Sequence, residues 1–191
     1  MKCRCGWCLG FEEYVRYHDE EWGVPVLDDH KQFEFLVLES AQAGLSWSTI
    51  LKKRQGYRNA FADFDHRQVA EFPESYIQEL LIDKGIIRNE LKIRSAINNA
   101  RRFKEVQEEF GTFSDYIWGF VDGKSIQNEW KSLSEIPATT SISDRLAKDM
   151  KKRGFKFLGS TVLYAHMQAT GLVNDHLVDC WRYEEVRNLS L

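Results

Sequence analysis

His176 and Cys180 stand four residues apart, and both side chains bind metal ions through a lone pair on nitrogen or sulfur. If the segment between them is helical, positions i and i+4 share one face, a workable spacing for two ligands of one ion. Two more ligands must then come from elsewhere. The start of the chain supplies Cys3, Cys5, Cys8 and His18. Cys5 and His18 are far enough apart to meet around a short helix. With His176 and Cys180 they would form a closed Cys2His2 set, the donor set of structural zinc, pinning the N-terminal segment to the C-terminal one. Cys5-x2-Cys8 is an alternative half-site. Without a metal the same residues read as small buried thiols and a core histidine. The chain shows no signal peptide and no apolar run long enough to span a bilayer, which predicts a cytoplasmic protein with metal-bound or free thiols rather than disulfides.

Glu39 is the second candidate for chemistry. Helical spacing of Phe33, Leu36, Val37 and Ser40 predicts a helix over 28–44, capped by Asp28 or Asp29. Glu39 falls towards its C-terminal end, where the helix dipole disfavours a negative charge, beside Ala41, Ala43 and Gly44. A carboxylate there is ordinarily solvated; the mismatch makes a functional one worth weighing. Residues 1–25 are dense in aromatics (Trp7, Tyr14, Tyr17, Trp22), and Tyr14, Tyr17 and His18 share a helical face. Leu45-Ser46-Trp47 breaks the helix, and Ser46 can cap a following one over 47–57. The short Gly44-Leu45 tip reads either as a surface turn tucked into the core or as a wedge that enters a DNA stack.

The third feature is basic. Helices are predicted over 143–153, with Leu146, Ala147 and Met150 on one face, and over 160–170, ending at Gly171. Gly154 suits the left-handed position just past a helix end. Gly159 lets the backbone approach something closely, and Ser160 or Thr161 can cap the second helix. Lys151, Lys152, Arg153 and Lys156 crowd the turn, near N–H groups that favour a phosphate oxygen. This pattern is that of a helix-hairpin-helix element gripping a DNA backbone without reading sequence; its plainer reading is a helical hairpin with a solvated basic face. The net charge of −3 excludes a uniformly basic nucleic-acid coat, so any DNA contact must be local.

The rest reads as scaffold. Helices are predicted over 76–82, 113–120 and, longest, 89–109, with Leu91, Ile93, Ala96, Ile97, Ala100 and Phe103 inward. There is no internal repeat and no strand ladder. The fold class is all-α, and 191 residues suit a single domain of two helical lobes with the helix-hairpin-helix at about 143–170.

RCGW (4–7), YHDEEWGVP (17–25), LESAQAGLSW (38–47), KKRGFKFLGST (151–161) and GLVNDH (171–176), in that order, resemble the bacterial 3-methyladenine DNA glycosylase I family. The resemblance implies a helix-hairpin-helix glycosylase fold, with one structural zinc on Cys5, His18, His176 and Cys180, leaving Cys3 and Cys8 as spares. It implies a base pocket built from Glu39, Tyr14, Tyr17 and Trp47, with Trp7 and Trp22 near it. Glu39 would be the catalytic carboxylate. Gly44-Leu45 would fill the gap left by a flipped nucleotide, and Gly154, Lys156 and Gly159 would hold the DNA. The implied substrate is alkylated double-stranded DNA, the product free 3-methyladenine, and the protein a monomer. Relatives in the wider superfamily that also cut the strand place a lysine just after the hairpin glycine. Here Ser160 and Thr161 stand there, which implies base release alone. Asp175 falls near the superfamily's usual aspartate; if His176 is a zinc ligand Asp175 takes a supporting role, and it stays a second catalytic candidate. Two other classes compete: a zinc-stapled DNA-binding module without activity, and a zinc hydrolase, which would need an open metal position.

Overall fold

The computed structural model describes residues 2–189. Among them are ten α-helices: α1 (Glu12–Glu20), α2 (Asp29–Gln42), α3 (Trp47–Ala60), α4 (His66–Ala70), α5 (Glu74–Leu80), α6 (Glu90–Phe110), α7 (Phe113–Trp118), α8 (Ser141–Lys152), α9 (Ser160–Ala169) and α10 (Arg182–Leu189). Most begin at a residue that supplies an oxygen to the free N–H groups of the first turn. Asp28 accepts from the Lys31 amide, Ser46 from Thr49 and Asn89 from Lys92, while Thr140 and Ser143 cap α8 reciprocally.

The core forms around α2 and α6. Phe33, Leu36 and Val37 of α2 meet Ile93, Ala96, Ile97, Ala100 and Phe103 of α6, and Phe113, Leu146, Met150, Leu163 and Met167 close around them. Phe103 and Phe113 stack with ring centroids 4.3 Å apart. Leu91, expected inward, is 65% exposed, and Lys92 is buried in its place. At about 100° per residue, Leu91 lies about 200° round the helix from Ile93, off the stripe that Ile93, Ala96 and Ala100 define. A smaller apolar cluster joins the N- and C-terminal segments, with Cys5, Tyr17, Trp22, Phe35, Leu177 and Cys180 buried in it.

Two features of the chain path lie outside the helical pattern. A parallel strand pair, β1 (Ile126–Gln127) and β2 (Val173–Asn174), pairs Ile126 with Val173 and Gln127 with Asn174. Two residues per strand are too few to leave a periodic signal. The segment from His176 to Cys180 is a loop of turns, not a helix. The Asn174 side chain accepts from the His176 amide, and the Val178 amide donates to the Trp130 carbonyl, so its backbone bonds lead away from a helical ladder.

The α8–α9 hairpin is a helix-hairpin-helix. Gly154, at φ +88°, ends α8 with the Phe155 amide on the Met150 carbonyl and the Gly154 amide on Lys151, a Schellman arrangement. Asn99 of α6 grips the hairpin from below, accepting from the Lys156 amide and donating to the Lys156 carbonyl, both at 2.8 Å. Phe155 and Leu158 point into the core. The expected side-chain cap at Ser160 or Thr161 is absent. Gly159 is the N-cap residue and provides none, while the Ser160 hydroxyl turns to Asp144 and Ser143.

Gly171 takes α9 into β2 at φ +77°, and a Cβ there would sit 2.5 Å from the Pro25 nitrogen. Gly171→Ala combines strain in the left-handed region with a backbone clash, and its expected cost is at least about 1–3 kcal/mol in denaturant unfolding. Gly159→Ala, at φ −74° with nothing within 4 Å of the added carbon, is expected to leave stability unchanged.

Candidate active site and metal centre

Cys5, His18, His176 and Cys180 are all buried, and their ligand atoms lie within 4.8 Å of one another. The Cys5 sulfur is 3.7 Å from His176 Nδ1, and the Cys180 sulfur is 3.6 Å from the same atom and 3.5 Å from His18 Nε2. Bonds of ~2.3 Å to sulfur and ~2.05 Å to nitrogen, set tetrahedrally, give S···N edges of ~3.6 Å. The far ring nitrogens are also committed. His18 Nδ1 lies 2.8 Å from Asp19, which Arg4 clamps with both Nε and Nη2, and His176 Nε2 lies 3.0 Å from the Trp22 carbonyl. Both outer nitrogens therefore carry a hydrogen, and both inner ones offer a lone pair to the cluster. Between the thiols, the hydrogen bond from Cys5 holds Cys180 far below the usual thiol range, helped by the two imidazoles, while that bond and burial push Cys5 up. A divalent cation takes both sulfurs as thiolates. The four residues fit a metal ion. Cys3 is exposed and Cys8 points its thiol at the Cys5 carbonyl, so neither joins the set.

Beside this cluster lies a cavity of about 220 Å³ lined by Trp7, Tyr14, Tyr17, Trp22, Glu39 and Trp47, with Gln42, Ile136, Ala165, Gln168 and Ala169 completing it. The metal cluster and the cavity share a wall. Trp22 packs edge-on against His176 at 4.6 Å, and Trp7 meets His18 at 5.3 Å, Trp22 at 5.0 Å and Tyr14 at 5.2 Å. Tyr17 and Trp47 are 5.4 Å apart. Among the described residues no partner meets the buried Trp47 indole N–H. Glu39 is only 3% exposed, and its Oε2 is 2.8 Å from His166 Nδ1. Burial pushes the Glu39 carboxyl up, and His166 pulls it part of the way back. Burial, then the charge of Glu39, pushes the Tyr17 phenol well above its usual range. A wider groove of about 980 Å³ also borders Tyr17, but its charged residues Glu21, Lys31 and Arg54 already pair with one another.

The remaining candidates lie apart from the cavity lining. Gly44, at φ +79°, and the 41% exposed Leu45 form the turn between α2 and α3, so the tip is not tucked into the core. Lys151, Lys152 and Lys156 are exposed at the hairpin, whereas Arg153, counted with them from sequence, is held by Glu109 and Asp149. Asp175 is fully buried and accepts from Asn128, Trp130, Tyr164 and Gln168, which fills its lone pairs and orients Gln168 at the cavity.

These features define a class: a mostly helical, helix-hairpin-helix protein whose aromatic cavity, lined also by a buried carboxylate, suits a planar ring. The methyladenine glycosylase family model matches residues 7–183, and the chain belongs to that family. DNA-3-methyladenine glycosylase 1 of Escherichia coli K12 is 49% identical over 94% of this chain and 96% of its own length. A crystal structure of a 3-methyladenine DNA glycosylase I superposes with a TM-score of 0.90 at 48% identity, covering 94% of this chain and 98% of that one. A variant of a 3-methyladenine DNA glycosylase I in complex with 3-methyladenine gives 0.90 at 34% identity, covering 93% and 96%.

Sequence reasoning missed His166, Gln42, Gln168 and Lys92. The roles of His166 and Lys92 depend on contacts of α2 with α9 and α6, which no local pattern encodes. The buried Lys92 ammonium donates to the Ala41 carbonyl at 2.7 Å and the Ala43 carbonyl at 2.6 Å. It satisfies the C-terminal carbonyls of α2 and offsets the negative end of its dipole, fixing the turn that carries Gly44 and Leu45. Lys92→Met keeps the stem and removes the donors. The expected outcome is a loss of about 1–3 kcal/mol in stability and faster amide exchange through 42–46; unchanged protection there would show that the turn holds itself.

Proposed function

We propose that this chain is a DNA repair glycosylase that flips 3-methyladenine out of alkylated double-stranded DNA and releases it by hydrolysis, leaving an abasic site. The observation that carries the reading is the buried Glu39 carboxylate on an aromatic cavity of ring-binding size, in a member of the methyladenine glycosylase family. Alkylation at N3 gives adenine a positive charge and weakens its bond to the sugar. The protein therefore needs less acid catalysis than one acting on neutral bases, and its main task is to extract and hold the base. Tyr14, Tyr17, Trp7, Trp22 and Trp47 offer aromatic faces and edges to a planar cation. Glu39 accepts hydrogen bonds from its exocyclic amine and favours its charge.

In this reading Leu45, presented by Gly44, fills the space the base leaves. The DNA backbone lies on the hairpin, with Gly154 shaping the turn, Lys156 at a phosphate and the uncapped start of α9 behind Gly159 giving its N–H groups to another. No lysine follows Gly159, so no imine forms with the sugar and the strand stays intact. The whole chain acts as one glycosylase domain, a cytoplasmic monomer. Among the described residues no helix is long and apolar enough to cross a membrane.

The metal is proposed to be a single zinc ion on Cys5, His18, His176 and Cys180. Four protein ligands leave no open position, so it supplies a crosslink and not a reactant. Dialysis against a chelator is expected to remove one zinc per chain and to lower stability by several kcal/mol. Full stability in metal-free protein would sink the crosslink role.

Glu39→Gln keeps the shape of the side chain and removes its charge. Losing one charge-assisted hydrogen bond costs about 1.5–3 kcal/mol, which is about a tenfold to hundredfold loss. That loss is expected in binding of free 3-methyladenine and in single-turnover excision, with affinity for undamaged DNA unchanged. A folded variant with undiminished base binding would take Glu39 out of the site.

A further inference from the structure

The tip of the α8–α9 hairpin carries a side chain that its backbone accommodates only at a cost. Phe157 lies at φ +56°, in the left-handed region. There the Cβ of an L residue crowds the following carbonyl oxygen, so a bulky residue at such a φ is an outlier. The chain uses glycine where the conformation alone is needed, as at Gly154 and Gly171. A phenylalanine at 157 therefore keeps its ring against the preference of its backbone. Among the described residues Phe64 is the other phenylalanine at positive φ, and it has no solvent exposure, so core packing offsets the strain there. Phe157 lacks that compensation. It is 39% exposed, and among the described residues its ring meets no other aromatic ring and no cation. Its neighbours hold the backbone in place: Phe155 and Leu158 are buried on either side, and Asn99 binds both the amide and the carbonyl of Lys156. Backbone strain that the surrounding structure holds in place clusters where a protein meets its ligands.

We propose that the Phe157 ring packs on a deoxyribose of the strand whose phosphates the hairpin holds, and so fixes where along that strand the hairpin sits. This rests on the reading of the hairpin as the grip on the DNA backbone. The charge around the ring selects that occupant. Lys151, Lys152 and Lys156 are exposed at the same turn, and none of them pairs with an acid among the described residues. An apolar ring among unpaired ammonium groups suits a ligand that alternates apolar and anionic units at short spacing. A DNA strand is such a ligand, because each deoxyribose turns C–H groups outward between two phosphates. The lysines alone leave the register loose, since their attraction to phosphate is non-directional and lets a protein slide along the backbone. Packing of a ring against a sugar acts only at contact, so it is satisfied at one place per nucleotide. It buries apolar area and neutralises no phosphate, so the affinity it adds is not screened by salt. Helix α6 carries the register to the turn at Gly44 and Leu45. Asn99 of that helix holds the hairpin, and Lys92, two turns earlier, holds the Ala41 and Ala43 carbonyls. Phe157 is thus a positioning residue, set to bring Leu45 against one nucleotide of the duplex.

The test measures binding of undamaged duplex DNA across a range of salt concentrations by the full-length, metal-loaded protein and its Phe157→Ala, Phe157→Gly, Phe157→Leu and Lys156→Gln variants. Phe157→Ala and Phe157→Gly are expected to lose about tenfold in affinity at every salt concentration, the worth of one apolar contact, with the salt slope of the wild type. Phe157→Leu, still apolar and of similar reach, is expected to recover most of that loss. Lys156→Gln is expected to flatten the slope. In excision of 3-methyladenine from duplex DNA, the half-saturating DNA concentration of Phe157→Ala is expected to rise by the same factor, while binding of free 3-methyladenine matches the wild type. Denaturant unfolding reads the strain separately. Glycine is at ease at φ +56° and alanine is not, so Phe157→Gly is expected to outlast Phe157→Ala, the reverse of their ordinary order. Wild-type DNA affinity in folded Phe157→Ala, beside a flattened slope in Lys156→Gln, overturns the proposal and leaves the hairpin reading standing. Affinity lost in Phe157→Gly and kept in Phe157→Ala also overturns it, because the backbone and not the ring would then make the contact. If Lys156→Gln keeps both slope and affinity, the hairpin reading itself fails, and the proposal falls with it.

Discussion

A carboxylate buried among aromatic rings is expensive unless something meets its charge, and the contact between Glu39 and His166 is where this fold meets that requirement. The contact spans α2 and α9, so both helices must be held in register. Helix α2 runs through the core, capped at Asp28 at one end and by the Lys92 ammonium at the other. Helix α9 is placed by the hairpin before it, which Asn99 grips, and by Gly171 after it, where the chain touches Val24 and Pro25 too closely for any side chain. The elements that position the carboxylate are thus the same ones that present the α8–α9 hairpin.

The cavity walls have a different origin. Trp7, Tyr14, Tyr17 and Trp22 come from a short N-terminal segment with little core of its own. The Cys2His2 cluster attaches that segment to the loop after β2, and its histidines pack directly on Trp7 and Trp22. Asp175 extends the same loop towards the cavity, gathering donors from Trp130, Tyr164 and Gln168. The four candidate metal ligands and the aromatic cavity therefore lie in adjacent layers that touch through the aromatic rings.

Much of this was legible in the sequence, where local chemistry fixes the outcome. Asp28 and Ser46 cap the helices they were expected to cap, Gly154 and Gly171 stand at left-handed positions, and the apolar spacing of α6 places its buried face. The family resemblance drew together six of the seven residues that line the cavity from Trp7 to Trp47, missing Gln42. Features that depend on tertiary pairing were not legible. Ser160 resembles an N-cap, yet its hydroxyl is claimed by Asp144 and Ser143 of the preceding helix. Leu91 resembles a core residue until the helix phase is set by its contacts, and Lys92 resembles a surface lysine until α2 ends above it. His166 looks like an ordinary helix histidine; its meaning comes from Gln32 and Glu39, both more than a hundred residues earlier in the chain.

The most direct test of the account is the product of a single turnover by the wild-type protein on methylated duplex DNA. Chromatography of the small-molecule fraction is expected to show free 3-methyladenine, while the strands stay whole until alkali opens the abasic sites. Folded, metal-loaded protein that binds the duplex and releases no base would contradict it.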